Sequence, residues 1–182
     1  MGACITRADR VARLFCNVVE DIITARAIER CGDGNLSRAQ FCGLQYVSLH
    51  PGCCIKDLAS GLNVSHPAAV KLVERLEAKA FITRASHERD RRIVQLLVTS
   101  HGQELADDVM GARSEAVEQI ISDAGQGCTC DIVGCLEAFV RVALANEKDM
   151  NGVCLRCGGG HDDECPVCAT EHALTGQMRT DS

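Results

Sequence analysis

The chain has no tryptophan, one tyrosine (Tyr46) and four phenylalanines among 182 residues. That leaves no aromatic platform on which single-stranded bases could stack. No apolar run approaches the length of a membrane span. The N-terminus lacks a basic region followed by a long apolar stretch, so no secretory leader is expected. Its first residues do fit an N-myristoylation pattern, Met1-Gly2-Ala3-Cys4-Ile5-Thr6, which is taken here as chance. There is no GxSxG, no phosphate-binding loop and no GxGxxG, and the six histidines are scattered, so no enzyme is expected. No internal repeat of solenoid length is present. Basic excess is also missing: the net charge is −6, which taken alone argues against a nucleic-acid partner.

Two features stand out against these absences. The first is thirteen cysteines. Without a secretory leader the expected location is cytoplasmic, where thiols serve more often as metal ligands or redox groups than as disulfides. The second is local charge. Between Ser65 and Arg92 seven Lys/Arg face four acids, a local balance of +3 on an acidic chain. Such a patch suits a salt-sensitive contact with a duplex rather than indiscriminate binding.

The organising stretch is residues 54–102. Ile55, Leu58 and Ala59 recur at helical spacing and predict a short helix. Leu62-Asn63-Val64-Ser65 reads as a turn, with Ser65 as N-cap and Pro67 in the first turn of the next helix. There Ala69, Leu72, Val73, Leu76 and Ala80 form an apolar stripe, while Lys71, Arg75 and Lys79 lie four apart on another face. A short helix, a tight turn and a longer helix with a basic face are helix–turn–helix grammar. Two strand-like runs follow, residues 81–84 and 93–98, around a charged tip at residues 85–92. A hairpin beside a recognition helix is a wing, and its tip can place an arginine in the narrow minor groove.

The words LASGLNVSHPAAVKLVERLEAKAFITR and ERDRRIVQLLVTSHG resemble the MarR family of bacterial transcriptional regulators, over about residues 8–147. The family's Asp-x-Arg wing pattern falls on Asp90 and Arg92. The resemblance implies that Arg92 reaches the minor groove and that Asp90 holds it. Ala68 and Val70 stand where the family usually carries small hydroxyl residues. The DNA-contacting candidates are therefore Ser65, His66, Lys71 and Arg75 on the helix, and Arg89, Asp90, Arg91 and Arg92 in the wing. His87, also in the wing, reads as solvated or DNA-facing.

Flanking helices are predicted over residues 7–30, from a capping box at Ser37 to about His50, over residues 100–122 and over residues 131–147. The expected fold is mainly α with a small β-hairpin wing. Residues 1–148 would form the DNA-binding and dimerisation domain, with the reading head at about residues 37–99, and residues 149–182 a cysteine-rich tail. In the resembled family the flanking helices interlock across a two-fold axis. Two reading heads related in this way suit a pseudo-palindromic duplex. The resemblance also implies an anionic or phenolic effector in a cleft between the dimer helices and the reading heads.

In the tail, Cys154-x-x-Cys157 and Cys165-x-x-Cys168 are two knuckle-like words seven residues apart. Four thiolates suit a tetrahedral zinc site, with His161 as a substitute ligand. Iron or an iron–sulfur cluster is the second choice of metal, and a metal-free thiol switch the third. Cys16, Cys42 and Cys135 read as small buried apolar residues. Cys16, Cys128 and Cys130 are secondary redox-sensing candidates, and Cys53 or Cys54, at a helix start, could be activated. The expected function is transcriptional regulation, as a repressor, under control of a small ligand or of the metal or redox state of the cysteines. The alternative is a rubredoxin-like or iron–sulfur electron carrier that uses the winged helix for docking.

Overall fold

The computed structural model describes residues 2–32, 34, 36–86, 94–124, 129–145 and 165–175. The chain begins with one continuous helical run, made of α1 (Gly2–Asn17), a π-helical segment (Val18–Thr24) and α2 (Ala25–Cys31). The apolar periodicity predicts an uninterrupted α-helix, so the π segment is a departure. Val18, Val19, Ile22, Ile23 and Thr24 crowd β-branched side chains into this stretch, which weakens its preference for the α conformation. Thr24 Oγ1 donates to the Val19 carbonyl, five residues back, at 2.9 Å. That is the offset a π turn provides.

Next come α3 (Arg38–Leu49), α4 (Ile55–Gly61) and α5 (His66–Ala78). A two-stranded antiparallel hairpin follows, β1 (Ile82–Ser86) with β2 (Val94–Val98), pairing Ile82 with Val98 and Ser86 with Val94. Ala85 and Ser86 thus belong to a strand rather than to the charged tip, because the ladder continues to them. The long α6 (Ser100–Asp123), then α7 (Thr129–Ala145) and α8 (Pro166–Thr175), follow among the described residues.

One cluster holds the reading head together. Leu44 and Val47 of α3, Leu58 of α4, Val73 and Leu76 of α5, Ile82 and Leu96 of the hairpin, and Val109 of α6 are almost wholly buried. Each such side chain contributes on the order of 1.5–3 kcal/mol by leaving water. Periodicity identifies most of these residues, since each lies on the inward stripe of its element.

Both helices of the helix–turn–helix end in the same way. The N–H of Val64 donates to the Ala59 carbonyl and that of Asn63 to the Ser60 carbonyl. At the end of α5, Phe81 donates to Leu76 and Ala80 to Glu77. These are Schellman closures, which require a left-handed residue just past the helix. Asn63 takes φ +53° and Ala80 φ +57°. Ala80 is therefore an exposed turn residue, not the end of the α5 stripe that the sequence predicts.

Thr99 caps α6, its hydroxyl accepting from Gly102 N at 3.0 Å and lying against the Ala80 and Phe81 carbonyls. A Cβ at Gly102 would sit 2.1 Å from the Phe81 carbonyl oxygen, so only glycine lets α6 start this close to the hairpin. Among the described residues no helix is long and apolar enough to cross a membrane.

Candidate nucleic-acid interface

Capping chemistry sets the reading head. At the start of α3, Ser37 Oγ accepts from Gln40 N and Gln40 Oε1 accepts from Ser37 N at 3.0 Å, the capping box the sequence predicts. The same Gln40 Oε1 accepts from Lys79 Nζ at 3.1 Å, tying the end of the recognition helix to the start of α3. At α4, Asp57 Oδ2 accepts from Cys54 N at 2.9 Å. The Cys54 thiol also donates to Asp57 and, with that backbone bond, holds the Asp57 carboxyl below the usual carboxylate range. Ahead of α4, Gly52 N donates to the Leu96 carbonyl and Leu96 N to the Cys53 carbonyl, so the chain lays a short third edge on the hairpin. No alternating pattern marks that edge in the sequence, which is why sequence reasoning missed it.

α5 rests on the core through Ala69, Val73 and Leu76. Its other side carries His66, Lys71 and Arg75, all exposed, with Lys71 and Arg75 one turn apart. Ser65 is extended at the N-cap position and exposed, but its side chain makes no capping hydrogen bond. Its hydroxyl is thus not spent within the helix, contrary to the capping role read from the sequence. Ala68 is exposed and Val70 half-buried. On the hairpin, Arg84 Nε pairs with Glu77 Oε2 at 3.3 Å, bracing β1 against α5. The wing candidates Arg89, Asp90, Arg91 and Arg92 lie outside the described residues.

The cysteines depart from expectation. Cys16 and Cys135 are exposed rather than buried, because no described residue covers the faces of α1 and α7 that carry them. Cys42 is half-buried, and burial pushes its thiol up. Cys53 is not activated. Burial, then Asp57 and Cys54, push its thiol to about 12, because it precedes the helix rather than sitting on its exposed N-terminus. Tyr46, whose ring meets that of His50 at a 4.6 Å centroid distance and a 49° tilt, is likewise pushed by burial to about 12. Cys128 is outside the described residues, and Cys130 lies in the first turn of α7.

Of the proposed metal ligands, Cys154, Cys157 and His161 lie outside the described residues. Cys165 stands just before α8 and Cys168 in its first turn. This helix is absent from the sequence reading, where the words around the two cysteines suggested only a knuckle. Among the described residues no three His, Cys, Asp or Glu side chains gather as a metal site.

A cleft of about 470 Å³ opens between α2 and α6, lined by Arg30, Cys31, Asp107, Asp108, Gly111, Ala112 and Glu115. Arg30 is already paired with Glu115 at 3.1 Å. With three carboxylates against one guanidinium, this lining repels an anionic effector.

A family model described as MarR family matches residues 35–93. The chain is 29% identical over 77 residues to the HTH-type transcriptional regulator BilQ of Clostridium symbiosum, covering 42% of this chain and 54% of that protein. It spans about half the length of the first curated relatives it matches. Among solved structures, transcriptional regulator Tm0710 from Thermotoga maritima is similar at 27% identity and a TM-score of 0.60, over 75% of this chain and 94% of that one. RV1404 from Mycobacterium tuberculosis is similar at 25% identity and a TM-score of 0.67, over 76% and 93%.

Proposed function

We propose that this chain, which carries a MarR-type winged helix over residues 35–93, is a dimeric regulator that represses transcription by binding a pseudo-palindromic duplex. The observation that carries the reading is the seating of α5. Ala69, Val73 and Leu76 anchor it on the core while His66, Lys71 and Arg75 face outward beside the hairpin. A helix held in this way can enter a major groove, with Lys71 and Arg75 on phosphates or base edges and Ser65 and His66 at the leading end. Arg92, supported by Asp90 and flanked by Arg89 and Arg91, would take the minor groove.

Open apolar surface supports the dimer. Val11, Leu14, Phe15, Val18 and Ile22 are 39–57% exposed along the first helical run, and Phe139 and Val142 of α7 are 68% exposed. A lone chain in water rarely leaves such a stripe uncovered, and a second copy brings the same apolar surface to meet it.

The tail adds a metal site in this reading: Cys154, Cys157, Cys165 and Cys168 hold one zinc ion, with iron the second choice and His161 a substitute ligand. Its support is the spacing of the two words and the position of the second at a helix start, where backbone N–H groups favour thiolates.

The test of DNA reading is selection of duplexes from a random-sequence pool by the purified full-length chain, followed by binding of the selected duplex across a salt series. Enrichment of an inverted repeat, and a loss of at least tenfold in affinity in Arg92→Ala, are expected. A pool that stays random would overturn the reading.

A further inference from the structure

α5 has two unlike flanks. Ala68, Lys71 and Arg75 follow one another at spacings of three and four, so they form one row along the helix, and all three are exposed. The two acids of α5, Glu74 and Glu77, lie off this row. Glu77 turns toward the hairpin, where it pairs with Arg84. The row therefore carries two cations and no acid, and it is the flank that a polyanion approaches most favourably.

Ala68 heads this row, in the first turn of the helix. The chain around it is open: every residue from Val64 to Ala68 is exposed, Val64 by 41%. Three of these five side chains, Val64, Pro67 and Ala68, offer only carbon, beside the polar Ser65 and His66. The leading end of the helix thus shows apolar groups to solvent at the place where the row of cations begins.

A recognition helix brings its N-terminal residues nearest the base edges. Lys71 and Arg75 have side chains long enough to reach the phosphates at the groove walls. The Ala68 methyl has no such reach and touches only what the helix itself comes against. In the major groove, adenine, guanine and cytosine present hydrogen-bonding atoms, whereas thymine adds a C5-methyl group, the natural contact for an alanine. The row from Ala68 to Arg75 rises about 10 Å along the helix, the length of about three base pairs.

We infer that Ala68 determines sequence specificity by reading one thymine in each half-site through its C5-methyl group, while Lys71 and Arg75 hold the helix on the adjoining backbone. The inference rests on the proposed reading of a pseudo-palindromic duplex and adds the base that the leading turn of α5 selects. Hiding one methyl from water corresponds to about fourfold in affinity for each half-site, so about tenfold for two.

The experiment uses the full-length chain and the duplex selected above. Each thymine of the half-site is replaced in turn by uracil, symmetrically in both half-sites, which removes the methyl and leaves base pairing intact. At one position the replacement is expected to weaken binding about tenfold. Cytosine at that position should bind weakly and 5-methylcytosine should recover part of the loss, since it restores the methyl. Ala68→Gly is expected to bind the thymine and uracil duplexes equally, whereas Lys71→Ala should weaken both and preserve their ratio. A selection that stays random overturns the duplex reading and this inference with it. An enriched repeat in which uracil replaces every thymine without loss leaves the duplex reading standing and overturns the role of Ala68, which would then be only a good helix former. Sensitivity to uracil that persists in Ala68→Gly also overturns it. The uracil and 5-methylcytosine series needs no variant, so it decides the matter even if Ala68→Gly folds poorly.

Discussion

The ring of Tyr46 lies against Gly61, so closely that a Cβ at Gly61 would sit 2.0 Å from the ring's Cε2 atom. Tyr46 is on α3 and Gly61 is the last residue of α4, so this contact sets how the first helix of the DNA-reading pair approaches the core. Gly61→Ala is expected to destabilise the fold by about 1–3 kcal/mol through overpacking. Urea unfolding measures it, and an unchanged midpoint would mean that the ring gives way freely.

Ala80 offers the opposite change. It holds a left-handed backbone at φ +57°, where glycine is at ease and an L side chain is strained. Ala80→Gly is expected to stabilise the protein by about 1 kcal/mol, raising the melting temperature. A lower melting temperature would show that the Schellman closure after α5 does not strain this residue.

The π segment reaches the reading head through ions. Arg38, the first residue of α3, pairs with Glu20, and with Asp21 at 3.2 Å, both from the π segment. Arg38 and Glu20 are about half exposed and Asp21 is 66% exposed, which keeps the expected coupling between Arg38 and Glu20 below about 1 kcal/mol and makes it weaken in salt. A double-mutant cycle at low and high ionic strength checks both statements.

Two pH limits follow from the groups around α4. Asp57 has its carboxyl lowered in the folded chain, so its contribution is present above the unfolded carboxylate value and is lost as pH falls through the folded one. Asp57→Asn should therefore lower stability near neutrality by about 1 kcal/mol, as for a lost helix cap, with the difference from wild type shrinking in acid. Cys53 and Tyr46 have raised values, both to about 12. Their contribution is complete below the unfolded values of 9.0 and 10.0 and is lost as pH rises toward about 12. Stability measured from pH 8 upward should fall more steeply in wild type than in a Cys53→Ala, Tyr46→Phe double variant.

Thiol labelling tests the proposed second-copy surface. Cys135 lies in line with Phe139 and Val142 on the open side of α7. Its alkylation is expected to slow as chain concentration rises. Labelling of Cys135 that is fast at every concentration would place the second copy elsewhere.

Local chemistry made much of this protein legible from its sequence. The Ser37–Gln40 capping box and the α4-turn-α5 unit are specified by residues a few positions apart, the hairpin by two β-branched runs whose partners lie 8 (Ser86 and Val94) to 16 (Ile82 and Val98) positions apart, and short-range hydrogen bonding and side-chain periodicity are visible in one dimension. The outward positions of Lys71 and Arg75 follow from the same periodicity once Ala69, Val73 and Leu76 point inward. Other features depend on which distant segments meet. Periodicity marks a face as apolar but cannot say what covers it, so Cys16 and Cys135 read as buried and are exposed. A helix N-terminus lowers a thiol's pKa only if water and charge leave it free to, and at Cys53 burial and Asp57 reverse the expected effect. The edge that Gly52 and Cys53 lay on β2 and the seating of Val167 against Leu144 are likewise tertiary decisions. Each is settled by contacts between residues far apart along the chain, whose energy no local pattern carries.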